Sequence, residues 1–105
     1  MKEKDELLHK RVIKRLEKIT RKLKIDTFHN IYEQRMCPRE IEDQITEIAK
    51  QYLVPEEIAN ISLFEVEKLV VLFEKCRRIH FFRKKNKYLL EEAISNLKKI
   101  KQGNI

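Results

Sequence analysis

The sequence predicts an all-α protein, a compact bundle of four to five helices in a single domain, and three observations carry that prediction. The chain has 105 residues but only one glycine, Gly103, and two prolines, Pro38 and Pro55. Glycine is the usual residue where a tight turn needs positive φ, and a sheet protein needs many such turns. Lys, Glu, Leu and Ile dominate the composition, which suits helices. Apolar residues recur at helical spacing along most of the chain. Hydrophobic residues make up 42% and charged residues 39%, enough apolar content for a core and against wholesale disorder. The length fits one core over residues 1–105, with residues 1–5 and 102–105 expected to fray.

A first helix is predicted over residues 2–23. Leu8, Val12, Leu16, Ile19 and Leu23 follow steps of four, four, three and four. At 100° per residue they fall within an arc of roughly 80°. Lys10, Arg11, Lys14, Lys18 and Arg21 lie on the far side, and residues 24–26 are expected to end the helix. A short second helix is predicted over residues 27–35, with Asp26 or Thr27 as its N-cap and Phe28, Ile31 and Tyr32 on its apolar side. Pro38 suits the first turn of a third helix, where its missing N–H costs nothing. Ile41, Ile45, Ile48 and Tyr52 form its stripe, with Glu40, Glu42, Asp43 and Glu47 on its other faces. It should stop near Leu53, because Val54 precedes Pro55 and is pushed away from α geometry.

Residues 55–60 read as a single helical turn. Ser62 and Glu65 then match a capping box, with the serine as cap and the glutamate three residues later. The helix that follows carries Val66, Leu69, Val70, Phe73, Cys76 and His80 on its main stripe. Val71, Leu72 and Ile79 lie outside that stripe. A helix apolar nearly all round is expected to be the central, most buried one. Residues 83–87 interrupt the apolar pattern, as a loop or a solvated stretch of helix. Leu90, Ile94 and Leu97 resume it, and the tail from Gly103 onward is expected to fray.

Net charge is +7, from 24 basic and 17 acidic residues. Its distribution says more than its size. Residues 10–24 hold eight basic residues and one acid, Glu17, and residues 75–87 hold seven basic residues, one histidine and no acid. Residues 33–67 reverse the balance, with nine acids against Arg35, Arg39 and Lys50. The chain alternates basic, acidic, basic.

Clustered Lys and Arg bind phosphates by releasing condensed counterions, so local density matters more than net charge. The first reading is therefore a small basic protein that binds nucleic acid, DNA or RNA, through phosphate backbone contacts with little sequence specificity. Its candidate residues are Lys10, Arg11, Lys14, Arg15, Lys18, Arg21 and Lys22 in the first block. In the second they are Lys75, Arg77, Arg78, Arg83, Lys84, Lys85 and Lys87. Phe81, Phe82 and Tyr88 sit among the latter, and aromatics beside arginines can stack on unpaired bases. A helix-turn-helix is disfavoured because Glu65 and Glu67 stand where base-reading residues would sit.

The alternative reading is a non-enzymatic helical interaction or adaptor subunit, a homodimer assembled through Leu8, Val12, Leu16 and Ile19 of the first helix. The acidic middle could also pair with a basic block, within the chain or across a dimer. Cys76 and His80 stand four apart, but a closed zinc site needs four ligands and Cys37, His9 and His29 are isolated. No metal or other cofactor is expected. Catalysis is not expected either: there is no glycine-rich phosphate loop, nucleophile elbow or HExxH. The longest uninterrupted apolar run, residues 69–73, is too short to span a membrane. The charged residues 1–6 do not resemble a secretory signal, and two cysteines make no disulfide framework. A cytoplasmic, intracellular location is expected.

Overall fold

Four helices follow one another along the chain: α1 (Lys2–Phe28), α2 (Pro38–Lys50), α3 (Leu63–Arg77) and α4 (Lys84–Lys101). This computed structural model describes residues 2–28, 38–54, 58, 61–79 and 82–103. No strand occurs among the described residues, and the fold is single-domain and all-α.

α1 runs longer than its apolar stripe implied. Residues 24–26, Lys-Ile-Asp, contain no helix breaker, and the helix continues through them to Phe28. Thr27 and Phe28, expected to open a second helix, complete the first; residues 29–35 of that expectation lie outside the described residues. The buried side of α1 is also turned from the expected stripe. Val12, Leu16 and Ile19 are buried, but so are His9 and Ile13, while Leu8 is exposed. His9 is drawn inward by a polar partner: its Nδ1 lies 2.9 Å from the hydroxyl of Tyr52.

α2 begins at Pro38 as expected, and Ile41, Ile45, Ile48 and Tyr52 are all buried. The helix ends at Lys50 and the chain leaves it through tightened turns. The N–H groups of Gln51, Tyr52 and Leu53 donate to the carbonyls of Ile48, Ala49 and Lys50 at 3.2, 2.9 and 3.4 Å, an i→i−3 pattern typical of helix ends. Of residues 55–60, only Ile58 is described, and it is buried in the core.

Ser62 caps α3, its Oγ accepting from the Glu65 N–H at 3.2 Å. Only this half of the expected capping box forms. The Glu65 side chain turns inward, is buried, and leaves its Oε2 without a hydrogen-bond partner among the described residues. α3 is central, packed against both α1 and α4, but it is not buried all round. Leu63, Phe64 and Val71 are exposed on one side.

α3 closes at Arg77, with the Arg78 and Ile79 N–H groups donating to Lys75 and Cys76 carbonyls at 3.3 and 3.1 Å. Phe82 then enters the core and pins the turn, so α4 starts inside the basic segment. Residues 84–87 form its first turn. α4 ends at a glycine in the left-handed region: Gly103 has φ 76, and its N–H donates to the Ile100 carbonyl at 3.0 Å. This is a helix C-cap that favours glycine, so Gly103 belongs to the ordered end of α4.

Side-chain pairs give the directions of the helices. Arg77 with Glu91, Glu74 with Lys98 and Glu67 with Lys101 pair at 3.4, 3.3 and 3.4 Å, the register of an antiparallel α3–α4 hairpin. α2 runs parallel to α4, since Glu42 meets Asn86 and Tyr52 meets Asn96 at the same separation of 44 residues. α1 crosses α3 antiparallel: His9 meets Tyr52, which edges Phe73, while Glu17 lies beside Phe64 and Lys68. Leu16, Ile45, Leu69, Phe73, Leu90 and Leu97 are completely enclosed where these helices meet. Truncating any one of them to alanine would cost about 2–5 kcal/mol, because lost transfer energy and the residual cavity add.

Candidate nucleic-acid interface

Helix geometry and the scarcity of acids decide how the first basic block is presented. On α1, Lys10, Arg11, Lys14, Arg15, Lys18 and Arg21 are all exposed. At 100° per residue they occupy an arc of about 140° opposite the buried side. From Lys10 to Arg21 the row extends about 16 Å at 1.5 Å per residue. None of the six is ion-paired to a carboxylate among the described residues. Among the described residues, the one polar contact of this set to a protein oxygen is local, from Arg21 Nε to the Glu17 carbonyl at 3.3 Å. The side chain of Lys22 lies outside the described residues.

The second block is deployed differently. Arg83 and Arg77 are engaged by acids of the same chain. Arg83 Nε donates to Glu42 Oε2 at 2.8 Å and its Nη2 to Asp43 Oδ1 at 3.2 Å. Arg77 Nη1 lies 3.4 Å from Glu91 Oε1. Lys75, Arg78, Lys84 and Lys85 are exposed and Lys87 is half-buried. All of them gather around the turn between α3 and α4. The aromatic residues divide as well: Phe82 is buried in the core, Tyr88 is exposed on α4, and Phe81 lies outside the described residues. The Lys10 end of α1 lies level with Phe73, near this turn, while the Arg21 end runs away from it toward Phe64. The two blocks therefore approach each other at one end only.

Arg83 is held because Glu42 is buried, a placement that the acid-rich face of α2 does not announce. Glu42 is 0% exposed. Its Oε1 accepts from Arg39 Nη1 at 2.7 Å. Its Oε2 accepts from Arg83 Nε, from the Arg83 backbone N–H at 3.4 Å, and from Asn86 Nδ2. Arg83 is the N-cap residue of α4 and makes no side-chain cap bond of its own. The Glu42 carboxylate supplies that function from α2, where a negative charge also complements the α4 dipole. Burial pushes the carboxyl up, but the hydrogen bonds from Arg83 and Asn86 outweigh it and hold Glu42 below the usual carboxylate value. At the other end of the pair, Asn96 Nδ2 donates to the carbonyls of Tyr52 and Leu53 at 3.0 and 3.1 Å. These are carbonyls of the turn that follows α2.

Of the remaining candidates, those among the described residues are packing or surface residues. Cys76 is buried, and burial pushes its thiol up to about 12 against an opposing effect of Lys75. His80, its expected neighbour, lies outside the described residues, as do Cys37 and His29. Glu40 and Glu47 are exposed, and Glu47 pairs with Lys50 at 3.4 Å. At the start of α3, Glu65 is buried and Glu67 pairs with Lys101. Val12, Leu16 and Ile19, the proposed seam of a dimer, lie in the core of the chain itself, with only Leu8 of that seam exposed. Among the described residues no helix is long and apolar enough to cross a membrane. No protein family, curated protein or solved structure matches the chain.

Proposed function

We propose that the protein binds nucleic acid through the exposed face of α1, holding phosphates with little preference for base sequence, in an intracellular and non-enzymatic role. The observation that supports this reading is the set of six exposed cations along α1 that have no carboxylate partner among the described residues. Cations already neutralised within the chain release little on binding a polyanion, whereas solvated ones exchange counterions freely. Lys75, Arg78, Lys84 and Lys85 extend the surface at the α3–α4 turn, and Arg83 acts within the fold.

The test is fluorescence anisotropy with duplex DNA, duplex RNA and single strands over a salt series. If all six α1 cations reach phosphates of duplex DNA, log affinity falls with log salt at a slope of at most about −5. Substituting Lys14, Lys18 and Arg21 by alanine should flatten that slope by about 3 while leaving the helical circular dichroism unchanged. Failure to bind at low salt, or a slope unaffected by the triple substitution, would overturn the proposal.

A further inference from the structure

α1 packs against α3 and, less extensively, against α2, so its cationic side faces outward. That side has two edges. At 100° per residue, Lys10, Lys14 and Arg21 point within about 40° of one another and form the first. Arg11 and Arg15, also within about 40° of each other, form the second, centred about 100° away. Lys18 stands between the edges. Glu17 is half-buried and lies about 20° outside Lys10, at the margin of the face. Among the described residues the face carries no aromatic side chain; the exposed Tyr88 is on α4. Between Lys10 and Arg21 there is also no Asn or Gln, the residues that read adenine by paired hydrogen bonds.

We propose that the ligand is double-stranded DNA, with α1 laid in the major groove and its two cationic edges on the two flanking backbones. This rests on the nucleic-acid reading above and narrows it. A helix with its side chains is about 10–12 Å across, and the major groove of B-DNA, about 12 Å wide, admits one. Edges that diverge by about 100° cannot both lie along one strand, whereas two backbones facing each other across a groove meet both. From Lys10 to Arg21 the face covers about 16 Å, about five phosphate steps of each strand at 3.4 Å. A single strand fits poorly, because the face offers no aromatic platform on which bases stack. Duplex RNA fits poorly too, because its major groove is deep and narrow and closes on a helix. Lys18 faces the groove floor, where lysine pairs with guanine O6 and N7. One lysine there discriminates little between sequences.

The test presents the full chain with one DNA sequence as duplex and as single strand, and with its duplex RNA counterpart, in anisotropy titrations over a salt series. Duplex DNA engages both edges and Lys18, for a slope of about −5, whereas a single strand engages one edge and Lys18, for a slope no steeper than about −3. Arg11→Ala with Arg15→Ala should flatten the duplex slope by about 2 and leave the single-strand slope, carried by the other edge, unchanged. Both positions are exposed, so the helical circular dichroism should stay the same. Dimethyl sulfate then locates the helix, since it methylates guanine N7 in the major groove and adenine N3 in the minor groove. Bound protein should protect guanine N7 and leave adenine N3 reactive. Protection of adenine N3 alone would overturn the proposal, as would a duplex slope indifferent to the arginine pair, or duplex RNA bound as tightly as duplex DNA. A single strand bound with as steep a slope as the duplex would overturn this inference and leave the nucleic-acid reading standing. Binding to none of the three at low salt would overturn both.

Discussion

Removing the charge of Glu42 should loosen the junction of α2 and α4 and remove part of the protein's sensitivity to acid. In Glu42→Gln one carboxylate oxygen becomes an amide that must face donors, because Arg39, Arg83 and Asn86 all point at this group. Breaking a buried ion pair by removing one partner costs about 3–5 kcal/mol. Here the cost is smaller, because Arg39 and Arg83 are 56% and 41% exposed and can be rehydrated. Asn86, which is buried, cannot. A loss of about 2–3 kcal/mol is expected, a large fraction of the 5–15 kcal/mol typical of a whole domain. The pH dependence follows from the lowered carboxyl. Above the ordinary value of 4.5 the folded and unfolded chains both carry the charge, and its stabilisation is fully present. As pH falls below 4.5 the unfolded chain takes up the proton first, and the stabilisation drains away toward the folded value. The assay is urea denaturation followed by circular dichroism, at neutral pH and at steps through this acid window. Wild type should lose more stability than Glu42→Gln as pH drops. Equal stability of the two at neutral pH, or parallel acid profiles, would refute the account of Glu42 as the cap of α4.

Two further outcomes follow from buried groups. Tyr52→Phe removes the hydroxyl 2.9 Å from His9 Nδ1 while keeping the ring edge-on to Phe73; the urea midpoint should fall by the equivalent of about 1 kcal/mol, with an unchanged m-value. Cys76, with its thiol pushed up to about 12, should resist thiol reagents at neutral pH in the native protein and react at once in denaturant; rapid native labelling of Cys76, mapped by mass spectrometry, would contradict its burial.

The helical pattern was legible because its signals were local. The isoleucine stripe of α2, the Ser62 cap and the Pro38 start depend only on neighbours along one helix, and all appear as expected. What escaped the sequence depends on a second helix. Glu42 lies one step off the apolar stripe, on the row it shares with Thr46 and Ala49, and all three are buried. Small residues on that row were the available sign that another helix packs there. The partners of Asn86 and Asn96 emerge only when α4 is laid parallel to α2. The rotation of α1 that exposes Leu8 and buries His9 follows from Tyr52, 43 residues away. Charge density alone also does not show which cations of the second block are ion-paired within the chain, as Arg77 and Arg83 are, because that depends on which carboxylate the fold brings to them. In residues 10–24 the single acid, Glu17, stands against eight basic residues, too few to neutralise them locally.

That unneutralised face is costly to the free chain. Lys10 and Lys14, Lys14 and Lys18, and Arg11 and Arg15 are like charges four residues apart; Arg11 and Lys14, Arg15 and Lys18, and Lys18 and Arg21 are three apart. Each such pair destabilises a helix by about 0.2–0.5 kcal/mol at low salt, so the six together oppose α1 by about 1–3 kcal/mol. The α3–α4 hairpin shows the opposite arrangement, with three cross-helix ion pairs between alternating charges. Glu17, three residues from Lys14 and four from Arg21, offsets only part of this repulsion. A ligand that carries closely spaced negative charge over about 16 Å, the length of the row at 1.5 Å per residue, relieves several of these pairs at once. A single carboxylate relieves one or two.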